Sequence, residues 1–124
     1  MLVLKATKTA FLISLAILLS GCSFKGVQPF QSDGCSAWPD GNYRQCCVDH
    51  DREYWRGGSS QDRLNADRVL QACVKEKEGA FMATLMYYGV RMGGVPWLPF
   101  SWRWGFGQDY PDSYHDRRAP PADR

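Results

Sequence analysis

From about Asn42 the chain places Cys46, His50 and Tyr54 four residues apart, with Cys47 beside them, so a helix there gathers them on one face. Gly57-Gly58 is its expected stop. Ser59 to Asp62 matches a capping box, which opens a second helix. In that helix Leu64, Asp67, Leu70 and Val74 fall along one stripe, and Gly79 ends the run. An acid inside an otherwise apolar stripe is costly to bury alone, so Asp67 is expected to face a donor. Ala80 to Met92 is a third, weaker helical candidate. The pattern predicts a small all-α fold built on an antiparallel helix pair with irregular loops.

The flanks carry no such periodicity. Ser32 to Gly41, dense in Gly, Ser, Asp and Pro, reads as a loop. Residues 95–106 hold too many prolines and aromatics for a regular helix. So small a domain needs its apolar area, which favours packing this segment over the helices as an irregular lid. Contact with a bilayer is the alternative, since Trp favours the headgroup level. The polar stretch 109–124 is expected to be a disordered tail.

The N-terminus reads as a targeting segment. Lys5 and Lys8 precede an apolar run, Ala10 to Leu19, that is too short to span a bilayer. Leu19-Ser20-Gly21-Cys22 follows and resembles the lipobox of bacterial lipoproteins. That resemblance implies a signal over 1–21, acylation of Cys22 and a tether over 22–31. It also implies a lipid-anchored place in the cell envelope, with Ser23 rather than Asp pointing to the outer membrane. Several acyl chains would anchor firmly where one would not. The remaining stretch, 32–108, makes one small domain. Loss of Lys5 and Lys8 reduces 15 basic residues to 13, against 13 acidic ones, so the net charge of +2 belongs to the signal. Nothing in that balance suggests a nucleic-acid binder. Four cysteines are left, Cys35, Cys46, Cys47 and Cys73, an even count that reads as two disulfides with three pairings open. Adjacent Cys46-Cys47 lacks the spacer a zinc site needs.

The candidate chemistry centres on His50, the one histidine before the tail, where His115 lies. A neutral imidazole is the natural general base near pH 7. Asp67, on a facing antiparallel helix, can hold the far ring nitrogen as the acid of a triad does. Asp51 points about 100° away from His50 around the helix and is free to hold a hard cation such as Ca²⁺ beside loop carbonyls. With no evident Ser or Cys nucleophile, the base would activate water. The same His-Asp pair also fits a satisfied buried contact in a scaffold without turnover.

Cys46, Cys47, His50, Asp51 and Tyr54, followed by Asp67 and Cys73, resemble secreted phospholipase A2. Its active-site helix carries Cys-Cys-x-x-His-Asp-x-x-Tyr, and its second long helix carries Asp with Cys six residues on. The likeness covers about Gly34 to Val74 and is closest to the reduced bacterial and fungal forms. It implies calcium-dependent hydrolysis of the sn-2 ester of membrane glycerophospholipids. His50 would be the base, Asp67 its partner, Tyr54 a hydrogen-bond donor to Asp67, and Asp51 the calcium carboxylate. Carbonyls of Gly34, Ser36 and Trp38 would complete the ion's ligands. The family's pairing would join Cys35 to Cys47 and Cys46 to Cys73. Glu53 stands where animal enzymes carry a further cysteine, and the loop lacks their Gly-rich calcium signature.

Overall fold

The computed structural model describes residues 27–108 and 112–115. Among them are three α-helices and no strand: α1 (Arg44–Arg56), α2 (Ser60–Glu78) and α3 (Ala80–Gly93), with a 3₁₀ turn at Asp112–His115. The chain is a small all-α fold tied by two disulfides, Cys35–Cys47 and Cys46–Cys73. The expected signal and Cys22, where acylation is expected, lie outside the described residues. No helix among the described residues is long and apolar enough to cross a membrane.

The register between α1 and α2 follows from three cross-links. Cys46, early in α1, is bonded to Cys73, late in α2. His50 meets Asp67 at mid-helix, and Tyr54, late in α1, meets Arg63, early in α2. Position rising on one helix as it falls on the other is the signature of an antiparallel pair. The turn between them is held by the capping box: Ser59 Oγ accepts from Asp62 N at 3.2 Å, and Asp62 Oδ2 accepts from Ser59 N at 2.9 Å. Such a cap is worth about 1 kcal/mol.

A single residue joins α2 to α3. Gly79 donates its N–H to Lys75 O, closing α2, while its carbonyl accepts from Ala83 N, opening α3. Its φ of 89° lies in the left-handed region, which a side chain would strain. The chain thus reverses at once, and late α3 returns to early α2, where Arg63 reaches the carbonyls of Val90 and Arg91.

The core has two parts. One surrounds the disulfides, with Tyr43, Leu70, Val74, Ala83 and Met86 and with Trp38 packed against it. The other joins Tyr54 and Ala66 to Trp104 and Tyr114. The 95–106 segment is therefore packed over the helices only in part. Trp104 is buried, edge-on to Tyr54 at 5.0 Å, and its indole N–H donates to Gly58 O. Trp97, Phe100 and Trp102 are exposed. The residues after Trp104 cap α1: Gly105 N and Gly107 N donate to Tyr54 O and Trp55 O, and the Gln108 amide donates to Arg56 O. These carbonyls sit in the last turn of α1 and have no partner within the helix.

Three expectations are corrected. Residues 27–31 do not hang free as tether: Gln28 N donates to Gly107 O, Trp55 Nε1 donates to Gln28 O, and Phe30 lies edge-on to Trp55. Nor is the whole of 109–124 outside the fold, because Tyr114 is buried and hydrogen-bonded to Arg63. On α2, Leu64 is only half-buried and Arg63 takes the interior place. A guanidinium is tolerated there because its donors find Tyr54 Oη, Tyr114 Oη and two backbone carbonyls.

Candidate active site

His50 and Tyr54 share the buried face of α1 one turn apart, and both reach Asp67 on α2. His50 Nε2 lies 2.7 Å from Asp67 Oδ1, and Tyr54 Oη donates to the same oxygen at 2.7 Å. Arg91, from α3, donates to Asp67 Oδ2 at 2.6 Å. Asp67 is fully buried, which by itself would push its carboxyl up. The bonds from His50, Tyr54 and Arg91 outweigh that and hold it below the usual carboxylate value. An ionised carboxylate only accepts, so the neutral imidazole carries its hydrogen on Nε2 and keeps a lone pair on Nδ1. Nδ1 makes no hydrogen bond among the described residues, and it is not sealed from solvent.

Arg63 supports this arrangement from behind. Its Nε donates to Tyr54 Oη at 3.1 Å and stands 4.0 Å from Asp67 Oδ2. Tyr54 has one hydroxyl hydrogen, and the carboxylate oxygen of Asp67 at 2.7 Å takes it over Val90 O at 3.4 Å. Burial, and then the Asp67 charge, push the Tyr54 phenol upward, so it stays neutral. The rest of the Arg63 fork holds the carbonyl end of α3, where the helix dipole is negative.

Asp51 occupies a different setting, at the rim. Its Oδ2 accepts from Ser32 Oγ at 2.6 Å. Burial pushes its carboxyl up to about 6, against the pull of the Ser32 hydroxyl and of His50, while the Asp33 charge adds to the rise. Asp33 in turn accepts from Ser36 Oγ. The loop is shaped by Asp40, whose Oδ1 accepts from Cys35 N, and by a turn in which Trp38 N donates to Cys35 O. Ala37 holds a φ of 56°, an uncommon conformation for a residue with a Cβ.

Between loop and helices lies a cavity of about 290 Å³. His50, Asp51 and Tyr54 form its α1 wall, residues 34–38 its loop wall, and Leu85, Met86, Gly89 and Trp102 its far side. Apolar side chains thus make up much of the wall around His50. No group of three or more His, Cys, Asp or Glu among the described residues is placed to hold a metal. The donors at hand are Asp51 and backbone oxygens. Among the described residues the carbonyls of Gly34, Ser36 and Trp38 accept no hydrogen bond, whereas that of Cys35 is taken. A carboxylate short of positive charge beside free carbonyls fits a hard cation such as calcium in kind.

The fold thus brings His50, Asp67 and Tyr54 into direct contact and places Asp51, Gly34, Ser36 and Trp38 around one cavity with them. The sequence reading missed Arg63, Arg91, Ser32, Asp33 and Tyr114. The acid in the α2 stripe demanded a donor, and a search for cations one turn away would have reached Arg63. Arg91 and Tyr114 leave no local signal. Compared with known proteins, the chain matches no family model, no curated protein and no solved structure.

Proposed function

We propose that the chain is a phospholipase A2-like hydrolase, cleaving the sn-2 ester of glycerophospholipids with a water activated by His50. The observation that carries this reading is the buried His50–Asp67 contact with Nδ1 left unpaired. Nδ1 takes a proton from water as the water's oxygen attacks the ester carbonyl. Asp67 holds the ring in the tautomer that leaves Nδ1 free and stabilises the imidazolium that forms. Tyr54, Arg63 and Arg91 fix Asp67 and keep it ionised. His50 then returns the proton to the departing alcohol oxygen. The apolar cavity walls take the acyl chain and thin the competing water. Asp51 with the carbonyls of Gly34, Ser36 and Trp38 would hold calcium, which when bound supplies positive charge for the ester oxygen.

One observation favours a second reading. Asp67 is satisfied by three donors, so the network would also stand as the centre of a non-catalytic envelope scaffold. Fatty-acid release from phosphatidylcholine vesicles, with millimolar calcium or with EDTA, separates the two. The hydrolase reading expects release that EDTA suppresses and His50→Gln abolishes, with fold retained. Asp67→Asn should slow release less than His50→Gln does. Wild-type chain with intact disulfides that releases no fatty acid, or His50→Gln at wild-type rate, leaves the scaffold reading standing.

A further inference from the structure

The cavity that holds His50 has a neighbour, a second hollow of about 470 Å³ that shares Ser36, Asp51 and Trp102 with it. Ser32 and Asp33, from the segment before the loop, are joined there by Ser101 and Phe106, from the segment after α3. Backbone bonds hold these segments together, since Gln28 N donates to Gly107 O. Apart from Ser36 and Asp51, the lining falls outside Gly34 to Val74, the stretch that resembles the phospholipases. What this second chamber does cannot be carried over from that likeness and has to be read from its own chemistry.

Its charge is one-sided. Among the described residues two carboxylates, Asp33 and Asp51, line it, and no Lys, Arg or His does. The two acids feel each other, for the Asp33 charge helps to push the Asp51 carboxyl up. The arginines that adjoin Asp51 and Trp102 in sequence are engaged elsewhere. Arg52 lies over the Phe30 ring, 5.1 Å from its centroid, and Arg103 donates to the carbonyls of Trp104, Gly105 and Gln108. Asp33 Oδ1 accepts from Ser36 Oγ, while its Oδ2 accepts no bond among the described residues. Trp102, stacked on Phe100, and Phe106 add aromatic surface. Both acids oppose an anion. A hard metal ion would use the oxygens and leave the rings idle. Carboxylate and aromatic surface together suit positive charge on a carbon-clad nitrogen.

We infer that this chamber binds an organic ammonium group, the end of an ethanolamine or choline headgroup on a lipid whose ester lies in the His50 cavity. A lipid as the source rests on the hydrolase reading, in which Asp51 is given to calcium and Asp33 is left to face the ammonium. Because Asp51 and Trp102 border both hollows, one molecule passing between them can occupy the two. The chain then prefers zwitterionic to anionic phospholipid.

The test titrates the whole wild-type chain by calorimetry at millimolar calcium. The ligands are monomeric short-chain diether analogues of phosphatidylcholine and phosphatidylglycerol, which offer no ester to cleave. The choline analogue should bind roughly tenfold more tightly than the glycerol analogue. Asp33→Asn should cut that ratio to about threefold, and Asp33→Lys should reverse it. Trp102→Leu, which keeps apolar surface, should lower it as well. No binding of either analogue, equal affinities, or a ratio that neither Asp33 change alters overturns the inference. So does an Asp33→Asn chain that binds calcium and both analogues less tightly by the same factor, since Asp33 then serves the metal. Choline alone binding as tightly as its diether analogue assigns the chamber to free amines and overturns the headgroup. Ester lipids with the same two headgroups decide the other reading: a wild type that cleaves neither defeats the hydrolase, while the titration still decides the chamber.

Discussion

His50 stands between two aspartates placed in opposite ways. Asp67, behind it, is buried, holds bonds from three side chains and is kept ionised by them. Asp51, at the rim, has one hydroxyl donor and a carboxyl raised to about 6. The deep side is finished without help from outside. The rim carries negative charge that its own surroundings do not neutralise, the condition in which added positive charge is most welcome. On the proposed function, rigid orientation and ligand capture would fall to different carboxylates on different helices.

The largest effect should come from breaking the deep side. Asp67→Asn leaves the buried Arg63 and the half-buried Arg91 beside a neutral amide and should cost about 4 kcal/mol, read as a fall in midpoint by chemical unfolding. An unchanged midpoint would mean the network does not hold the fold. Reducing the cross-links comes next. Opening Cys46–Cys73, which spans 27 residues, should cost roughly 3.5 kcal/mol, and opening Cys35–Cys47, which spans 12, roughly 3. Paired Cys→Ser variants compared by thermal unfolding give the order. Only the first joins the two helices that carry His50 and Asp67, so it should also disturb their contact.

These contrasts were unevenly legible in the sequence. Gly57 and Gly79 closed helices where expected, and Ser59 formed its capping box. The four-residue spacing of Cys46, His50 and Tyr54 marked a buried face. The disulfide partners followed from resemblance, because spacing alone allowed three pairings. What escaped were contacts that join distant positions through polar side chains. Arg91 reaches back 24 residues to Asp67, and Tyr114 reaches 51 residues to Arg63. Helical periodicity assigns an arginine to solvent, and a polar tail looks dispensable until its tyrosine is found in the core. Residues 27–31 escaped similarly, since backbone bonds to Gly107 need no particular side chain.

A smaller disturbance should come from Gly94, which lies against Tyr54. A Cβ there would stand 2.5 Å from Tyr54 Cε1 and 2.8 Å from Val90 O, and the carbonyl cannot swing aside. Gly94→Ala should therefore push Tyr54 off Asp67 and cost about 2 kcal/mol by thermal unfolding. If the midpoint holds, the deep side is more pliant than its bonding suggests.

The smallest effect, of opposite sign, belongs to the rim. Because Asp51 is raised in the fold, the folded chain keeps a proton there that the unfolded chain has lost. Stability contributed by this group falls as pH rises from about 4 to about 6. Asp51→Asn should thus stabilise by roughly 1 kcal/mol at pH 7 after allowance for solvent screening, and by nothing below about pH 4. Asp67 titrates the other way: its contribution is present above the ordinary carboxylate value of 3.8 and is lost as pH falls through its lower folded value. Unfolding curves of both variants across pH should cross in this sense. Calcium should stabilise wild type and not Asp51→Asn.

Tyr114 gives the deep network a bearing on manufacture as well as on chemistry. Its hydroxyl accepts from Arg63 Nη1 at 3.0 Å, from the far end of the described chain. A polypeptide interrupted before Asp112 would contain every residue assigned to the reaction, yet would enclose a guanidinium hydrogen with nothing to receive it. The penalty for such an orphan is about 1–3 kcal/mol, a large share of what a domain this small can spare. A chain interrupted before Asp112 should therefore unfold at a lower midpoint than one that keeps Tyr114.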